Sequence, residues 1–348
     1  MTEFNYQKIA GLDPLGIDED IFDLPQLNRT CNSTQLVNLG AKMARSFYDI
    51  GLGTAEEGYA ALRDLDFVAS SLDRAGVNPF SYVPRLEEAM LDAGDMAESV
   101  PRSTITTYAG ANPDGVRRRS FTGSQEEDVF IASLRTSFDE LEVALVGLGR
   151  LKKEEQAHAY AGTLDISANA VQTLVASMVK VKRTISPEFF THNIRPFFDP
   201  LTIGGRVYAA AGGGQLQLVG IERIAFGVNG VDLINYKFFE ENLPYLNVLQ
   251  RNKIQEFLRN HNDMSILDQV QEGQFDQGDN DDVAIALLSL ARMIKKFRYP
   301  HRKVALDNFA LRSPGSVGSG SYTPTILAEL IDETENQILQ IGALVNGN

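Results

Sequence analysis

Val283, Leu287, Leu290, Ile294 and Phe297 recur at the spacing of one helical face. Residues 281–299 therefore form an amphipathic helix that needs an apolar partner along its whole length. Pro300 follows at once, and a proline inside a helix removes one backbone N–H and crowds the turn before it. His301 lies four residues after Phe297 and three before Val304, so a helix that resumes beyond Pro300 aims its imidazole inward.

Other segments carry the same period. Residues 34–50 end at Gly51. Thr54 with Glu57 has the spacing of a capping box that opens a helix to about Arg74, before Gly76. Ser124 with Glu127 repeats that spacing ahead of an apolar face at Phe130, Leu134, Leu141 and Leu145. A helix over about 152–185 stops at Ser186-Pro187, because the residue before proline is pushed out of the α region. Thr323-Pro324 opens the last helix, with proline in its first turn. No alternation of strands and helices occurs, and the expected fold class is all-α.

Between these helices the period breaks. Residues 1–30 mix Pro, Gly, Asp and Asn and are expected to lie as an irregular surface arm, closed by residues 24–33. The threonine-rich stretch 100–123 is expected to join a small N-terminal region, 1–123, to a larger helical domain, 124–348. Residues 189–215, rich in Phe, Pro and Gly, are expected to be a loop bordering a cavity.

Composition then narrows the function. A net charge of −14 opposes binding to nucleic acid or anionic membranes. No run of 18 apolar residues and no signal-peptide pattern is present, so a cytoplasmic protein is expected. Cys31 is the single cysteine, which rules out an intrachain disulfide, and it is expected as a small packed side chain. The four histidines, His158, His192, His261 and His301, never fall three or four apart, so no helix face offers paired metal ligands. A haem asks less: the porphyrin supplies four nitrogens and the protein one axial side chain. His301 is the best candidate for that ligand, against the plainer alternative of a buried histidine satisfied by a backbone carbonyl.

Arg292, Lys295, Lys296, Arg298, Arg302 and Lys303 stand within twelve residues that hold no acid. Haem propionates are a natural partner for some of them, while cations favoured at a helix C-terminus account for others. Arg195, inside the aromatic segment, has the fork to hold a substrate carboxylate, or else makes an ordinary ion pair. Residues 312–324 lack the Lys of a phosphate-binding loop. They serve either as a linker or as a cover over a planar ligand. No Gly-x-Ser-x-Gly elbow or His-Glu-x-x-His helix is present, which removes support for an ordinary hydrolase.

In order along the chain, LPQLNR, RDLDFVASSLDRAG, RSFTG, ISPEFFTHNIRPFFDPLTIGG, FRYPHRKVA and GSGSYTP together resemble the monodechloroaminopyrrolnitrin synthase family, grouped with the indoleamine and tryptophan dioxygenases. The resemblance implies an indoleamine-dioxygenase-like helical fold with a large haem-binding C-terminal domain, and a haem-dependent oxidoreductase holding haem b through one axial histidine. It places His301 at the ligand position and Arg298 near a propionate. Arg195 matches the arginine that meets an amino-acid carboxylate, and Ser133 and Ser319 match serines on the distal side. Gly318, Gly320 and Ser321 fall in the loop beside the substrate. Phe309 stands where the pyrrolnitrin enzyme has a tyrosine eight residues after its haem histidine, so a phenolic donor is missing. The implied reaction is oxidation of a free L-amino acid, tryptophan-like first, with dioxygen or peroxide, in secondary metabolism. The alternatives are a hydroxylase of a non-aromatic amino acid such as arginine, a haem sensor or carrier without turnover, and a helical interaction protein without cofactor.

Overall fold

The computed structural model describes residues 6–153, 155–210, 216–227, 233–261, 264–312 and 325–346. Sixteen α-helices occur among them: α1 Tyr6–Ala10, α2 Asp18–Ile21, α3 Leu24–Thr30, α4 Ser33–Ile50, α5 Ala55–Arg74, α6 Pro79–Tyr82, α7 Pro84–Met96, α8 Gln125–Gly149, α9 Ala157–Thr184, α10 Pro187–Phe189, α11 Leu216–Phe226, α12 Leu233–Asn242, α13 Val248–Asn260, α14 Ile266–Gln271, α15 Gln277–Phe309 and α16 Thr325–Asn346. The fold is all-α apart from one small hairpin. Among the described residues no helix is long and apolar enough to cross a membrane.

The helix ends show why the chain breaks where it does. Gly51 takes a left-handed φ of 70° after α4, a conformation that costs glycine nothing. Thr54 and Glu57 form the expected reciprocal capping box at the start of α5. At α8 only half of the second box exists. Ser124 accepts from the Glu127 N–H at 3.2 Å, but the Glu127 carboxylate turns to the preceding loop instead. It accepts from Tyr108 Oη (2.9 Å), the Phe121 N–H (2.9 Å), Ser120 Oγ (2.6 Å), the Thr122 N–H (2.7 Å) and Thr122 Oγ1 (2.7 Å). Those donors are buried with it, and a carboxylate that gathers them is better satisfied there than at a solvent-facing cap.

Two apolar clusters fill the molecule. The larger joins α8, α9, α11 and α15, and contains the whole Val283, Leu287, Leu290, Ile294 and Phe297 stripe. The smaller gathers α4, α5 and α7 with Ile131 and Phe138 of α8, and chain returning between Ile194 and Ala210. Two expectations need correction here, the irregular surface arm and the packed Cys31. The first thirty residues are not a loose arm: α1 to α3 interrupt it, and Ile9, Leu15, Ile17, Ile21 and Leu24 are buried. Residues 101–113 are buried throughout, because Thr104, Thr106 and Thr107 satisfy one another's hydroxyls and backbone groups around a π-helical turn, Thr106–Gly110. Cys31 is exposed, since it caps α3 in a left-handed conformation with φ 47°.

The aromatic segment is not a plain loop either. After α10 come a π-helical turn, Phe190–Ile194, a 3₁₀ turn, Arg195–Phe198, and an antiparallel hairpin of β1 Leu201–Ile203 and β2 Arg206–Tyr208. Gly204 and Gly205 make its two-residue turn with φ 56° and 74°, which is the pair of positive angles that a tight hairpin requires.

Candidate functional site

α15 runs unbroken through Pro300 to Phe309, so His301 sits inside a helix. The price is one ladder bond: proline offers no N–H to the carbonyl of Lys296. The imidazole stacks on Phe297 one turn earlier, with ring centroids 5.2 Å apart. It is partly buried, and burial, helped by the Arg298 charge, pushes its pKa down to about 4. A neutral imidazole with a lone pair is the form that binds a metal. Neither ring nitrogen has a hydrogen-bond partner among the described residues. Among the described residues there is no backbone carbonyl of the kind that would explain an ordinary buried histidine.

The other three histidines offer less. His158 and His192 are exposed. His261 bonds the Leu148 backbone and borders a separate cavity of about 1220 Å³, lined also by Phe138, Glu142, Gln217 and Phe257. Among the described residues no three His, Cys, Asp or Glu side chains gather as a metal site.

Asn308 fixes the direction His301 faces. It lies seven residues further on, within about 20° of the same line along the helix. Asn308 Oδ1 is 3.4 Å from Thr191 Oγ1, in the π-helical turn before Arg195. At its other side this segment meets α8, where Phe190 packs edge-on against Phe130 at 5.5 Å. Ser133 follows Phe130 by about one turn on that helix. Its hydroxyl is buried and has no hydrogen-bond partner among the described residues. Through these contacts α15, at Asn308 beyond His301, and α8, one turn from Ser133, both meet the segment 187–198, which carries Arg195.

Arg195 is held from the small cluster. Phe197 stacks on Phe121 at 4.2 Å, Phe121 on Phe67 at 4.4 Å, and Phe198 meets Tyr108 edge-on at 5.0 Å. Such aromatic pairs add about 0.5–1.5 kcal/mol each beyond the area they bury. The guanidinium donates from Nη1 to Asp199 at 2.8 Å, while its Nε is buried with no partner. Burial lowers its pKa, the Asp199 carboxylate opposes that, and Arg312 nearby adds to the lowering. Arg312 in turn lies over the Phe309 ring, 5.6 Å from its centroid. Phe309 and Arg195 therefore share one end of the site. Gly318, Ser319, Gly320 and Ser321 lie outside the described residues.

Arg298 meets partners that the sequence did not suggest. It is buried, its Nη2 pairs with Glu222 of α11 at 2.6 Å, and Nη1 donates to the Leu330 carbonyl at 2.8 Å and to the Thr334 hydroxyl. The contacts that tie the site together, Glu222, Thr191, Asn308 and the Phe130–Phe190 pair, went unremarked in the sequence. Only Asn308 had a signal there, its seven-residue spacing from His301.

Among the described residues the arrangement offers an imidazole and a hydroxyl without partners, aromatic walls and an arginine with an unpartnered Nε. These features suit a planar metalloporphyrin with an anionic small molecule beside it. The family model described as monodechloroaminopyrrolnitrin synthase PrnB matches residues 33–338, nearly the whole chain. The chain belongs to that family, and is a haem-dependent oxidoreductase of secondary metabolism.

Proposed function

We propose that His301 is the single axial ligand of a b-type haem and that Arg195 seats a free L-amino acid, tryptophan-like, which the enzyme oxidises with dioxygen or peroxide. The observation that carries this reading is the neutral His301 ring, without a hydrogen-bond partner among the described residues, on the helix that meets the Arg195 segment at Asn308. When bound, the haem supplies the redox-active iron at which the oxidant is activated.

The chain's own residues do the rest. Arg195 keeps Nε free beside an Nη2 with no partner among the described residues, an edge that matches the two oxygens of a carboxylate. A hydrogen bond to a charged group of this kind contributes about 1.5–3 kcal/mol, and its larger effect is to orient the reacting carbon. Phe130, Phe190 and Phe309 give an aromatic side chain a wall to pack against and exclude water. The Ser133 hydroxyl has no partner among the described residues, so it is available to a ligand atom. An arginine substrate fits less well, because Phe130, Phe190 and Phe309 offer its guanidinium no carboxylate. Phe309 cannot donate a proton, so a ring rearrangement that depends on a phenol at that position is not expected.

Purified protein made with haem supply is expected to show a strong Soret band. His301→Ala should lose most of it, and full haem content in that variant would refute the ligand assignment. Titrating the ferric protein with L-tryptophan, tryptamine and L-arginine tests the second half. L-Tryptophan should shift the spectrum and tryptamine should bind far more weakly. Equal affinity for the two would remove Arg195 from its role.

A further inference from the structure

Six cations crowd residues 292–303, and the structure treats them differently. Lys295 reaches Glu335 at 2.8 Å, and Lys303 pairs with Asp307 one turn on. Arg292 and Lys296 are exposed to solvent. Arg298 is buried against Glu222 and the Leu330–Thr334 turn of α16. Arg302 is left. It is partly buried, its Nε is shut off from solvent without a hydrogen-bond partner, and no carboxylate pairs with it among the described residues.

A guanidinium stays charged in any protein environment, and withdrawing it from water without a counter-charge is unfavourable unless an anion meets it. Arg302 directly follows His301, about 100° further round the helix. Its side chain therefore leaves α15 on the flank of the line along which the imidazole projects. A haem held by the imidazole would bring two carboxylates, and the buried Nε beside the Nη groups of Arg302 would give one of them a planar fork.

We propose that Arg302, rather than Arg298, receives a haem propionate, and that Arg298 is a positioning residue that fixes α15 against α11 and α16. This rests on His301 being the haem ligand. Arg298 already has a buried carboxylate at 2.6 Å. A second anion there would face Glu222 across a single cation. At Arg302 no such competitor exists among the described residues.

The test compares ferric haem with its dimethyl ester, whose propionates carry no charge. Full-length wild type, Arg302→Gln, Arg302→Lys, Arg298→Gln and His301→Ala are titrated with each porphyrin by Soret absorbance, with melting followed by circular dichroism. Arg302→Gln should bind haem about ten- to a hundredfold more weakly, while binding the ester as wild type does. Arg302→Lys, which keeps the charge and loses the fork, should recover part of the loss. Arg298→Gln should melt earlier and weaken both porphyrins by the same factor. The proposal fails if Arg302→Gln binds haem like wild type, if it loses haem and ester equally, or if the selective loss appears in Arg298→Gln instead. Wild-type haem affinity in His301→Ala would overturn the ligand assignment and the propionate assignment with it, whereas haem loss in His301→Ala beside wild-type binding in Arg302→Gln would overturn the propionate assignment alone.

Discussion

Replacing Glu127 by Gln keeps the shape of a fully buried side chain and removes its charge. Five donors converge on that carboxylate, two on Oε1 and three on Oε2. With the amide nitrogen at the Oε1 position, the Tyr108 hydroxyl can turn and accept, but the Phe121 N–H cannot. With the nitrogen at the Oε2 position, the Thr122 N–H is stranded in the same way. Either orientation leaves one buried backbone donor unsatisfied, at about 1–3 kcal/mol. The bonds that survive lose their charge assistance, about 1 kcal/mol each. One stranded donor and four weakened bonds together amount to about 5–7 kcal/mol, a large share of the stability of an ordinary domain. The chain has no tryptophan, so urea unfolding is best followed by far-ultraviolet circular dichroism. A loss below about 1 kcal/mol would refute the idea that the carboxylate holds this loop. Because Phe121 belongs to the loop and stacks on Phe197, Glu127→Gln should also weaken the substrate-induced spectral shift more than it weakens haem binding.

Arg298→Met leaves Glu222 buried without its cation, and should cost about 3–5 kcal/mol in chemical unfolding. Adding Glu222→Met should recover much of that loss, and strictly additive losses would show that the pair does not act as a unit. In the haem-free protein, proton NMR should find the His301 ring neutral until the pH nears 4. The unfolded chain takes up that proton near pH 6.5, so stability falls as pH drops from about 6.5 toward 4, by at most about 3 kcal/mol. A ring that titrates near 6.5 would show that it is not desolvated.

The sequence revealed features set by local physics. The glycine after α4, the Thr54–Glu57 box, the stop at Ser186-Pro187 and the stripe ending at Phe297 all depend on residues within a few positions of one another. Features set by distant partners were hidden. Glu127 had the spacing of a cap, and its carboxylate went to residues that the fold brings to it. The threonines at 104–107 are polar enough to look like surface, yet they are interior because each hydroxyl finds another. α11 shows no polar stripe because it is buried on nearly every side, and such a helix carries no periodic signal. The Ile203-Gly204-Gly205-Arg206 turn did have a readable signature, two glycines between short apolar runs, which the expectation of a loop passed over. Within the basic run, spacing showed six cations alike, and only packing separates Arg302 from its neighbours.

The two apolar clusters divide the work of the site. His301 continues a stripe that belongs to the larger one, through Ile294 and Phe297. Arg195 is flanked by Ile194, Phe197 and Phe198, all in the smaller. α8 serves both, with Ile131 and Phe138 in the smaller and Leu141, Ala144 and Leu145 in the larger. Two light contacts close the circuit on either side of the Arg195 segment, Thr191 to Asn308 at 3.4 Å and Phe190 to Phe130 at 5.5 Å. A hydroxyl–amide contact of that length is weak, so displacement of the Arg195 segment costs α15 little. The residue proposed to orient the substrate is therefore anchored by different packing from the residue proposed to hold the iron.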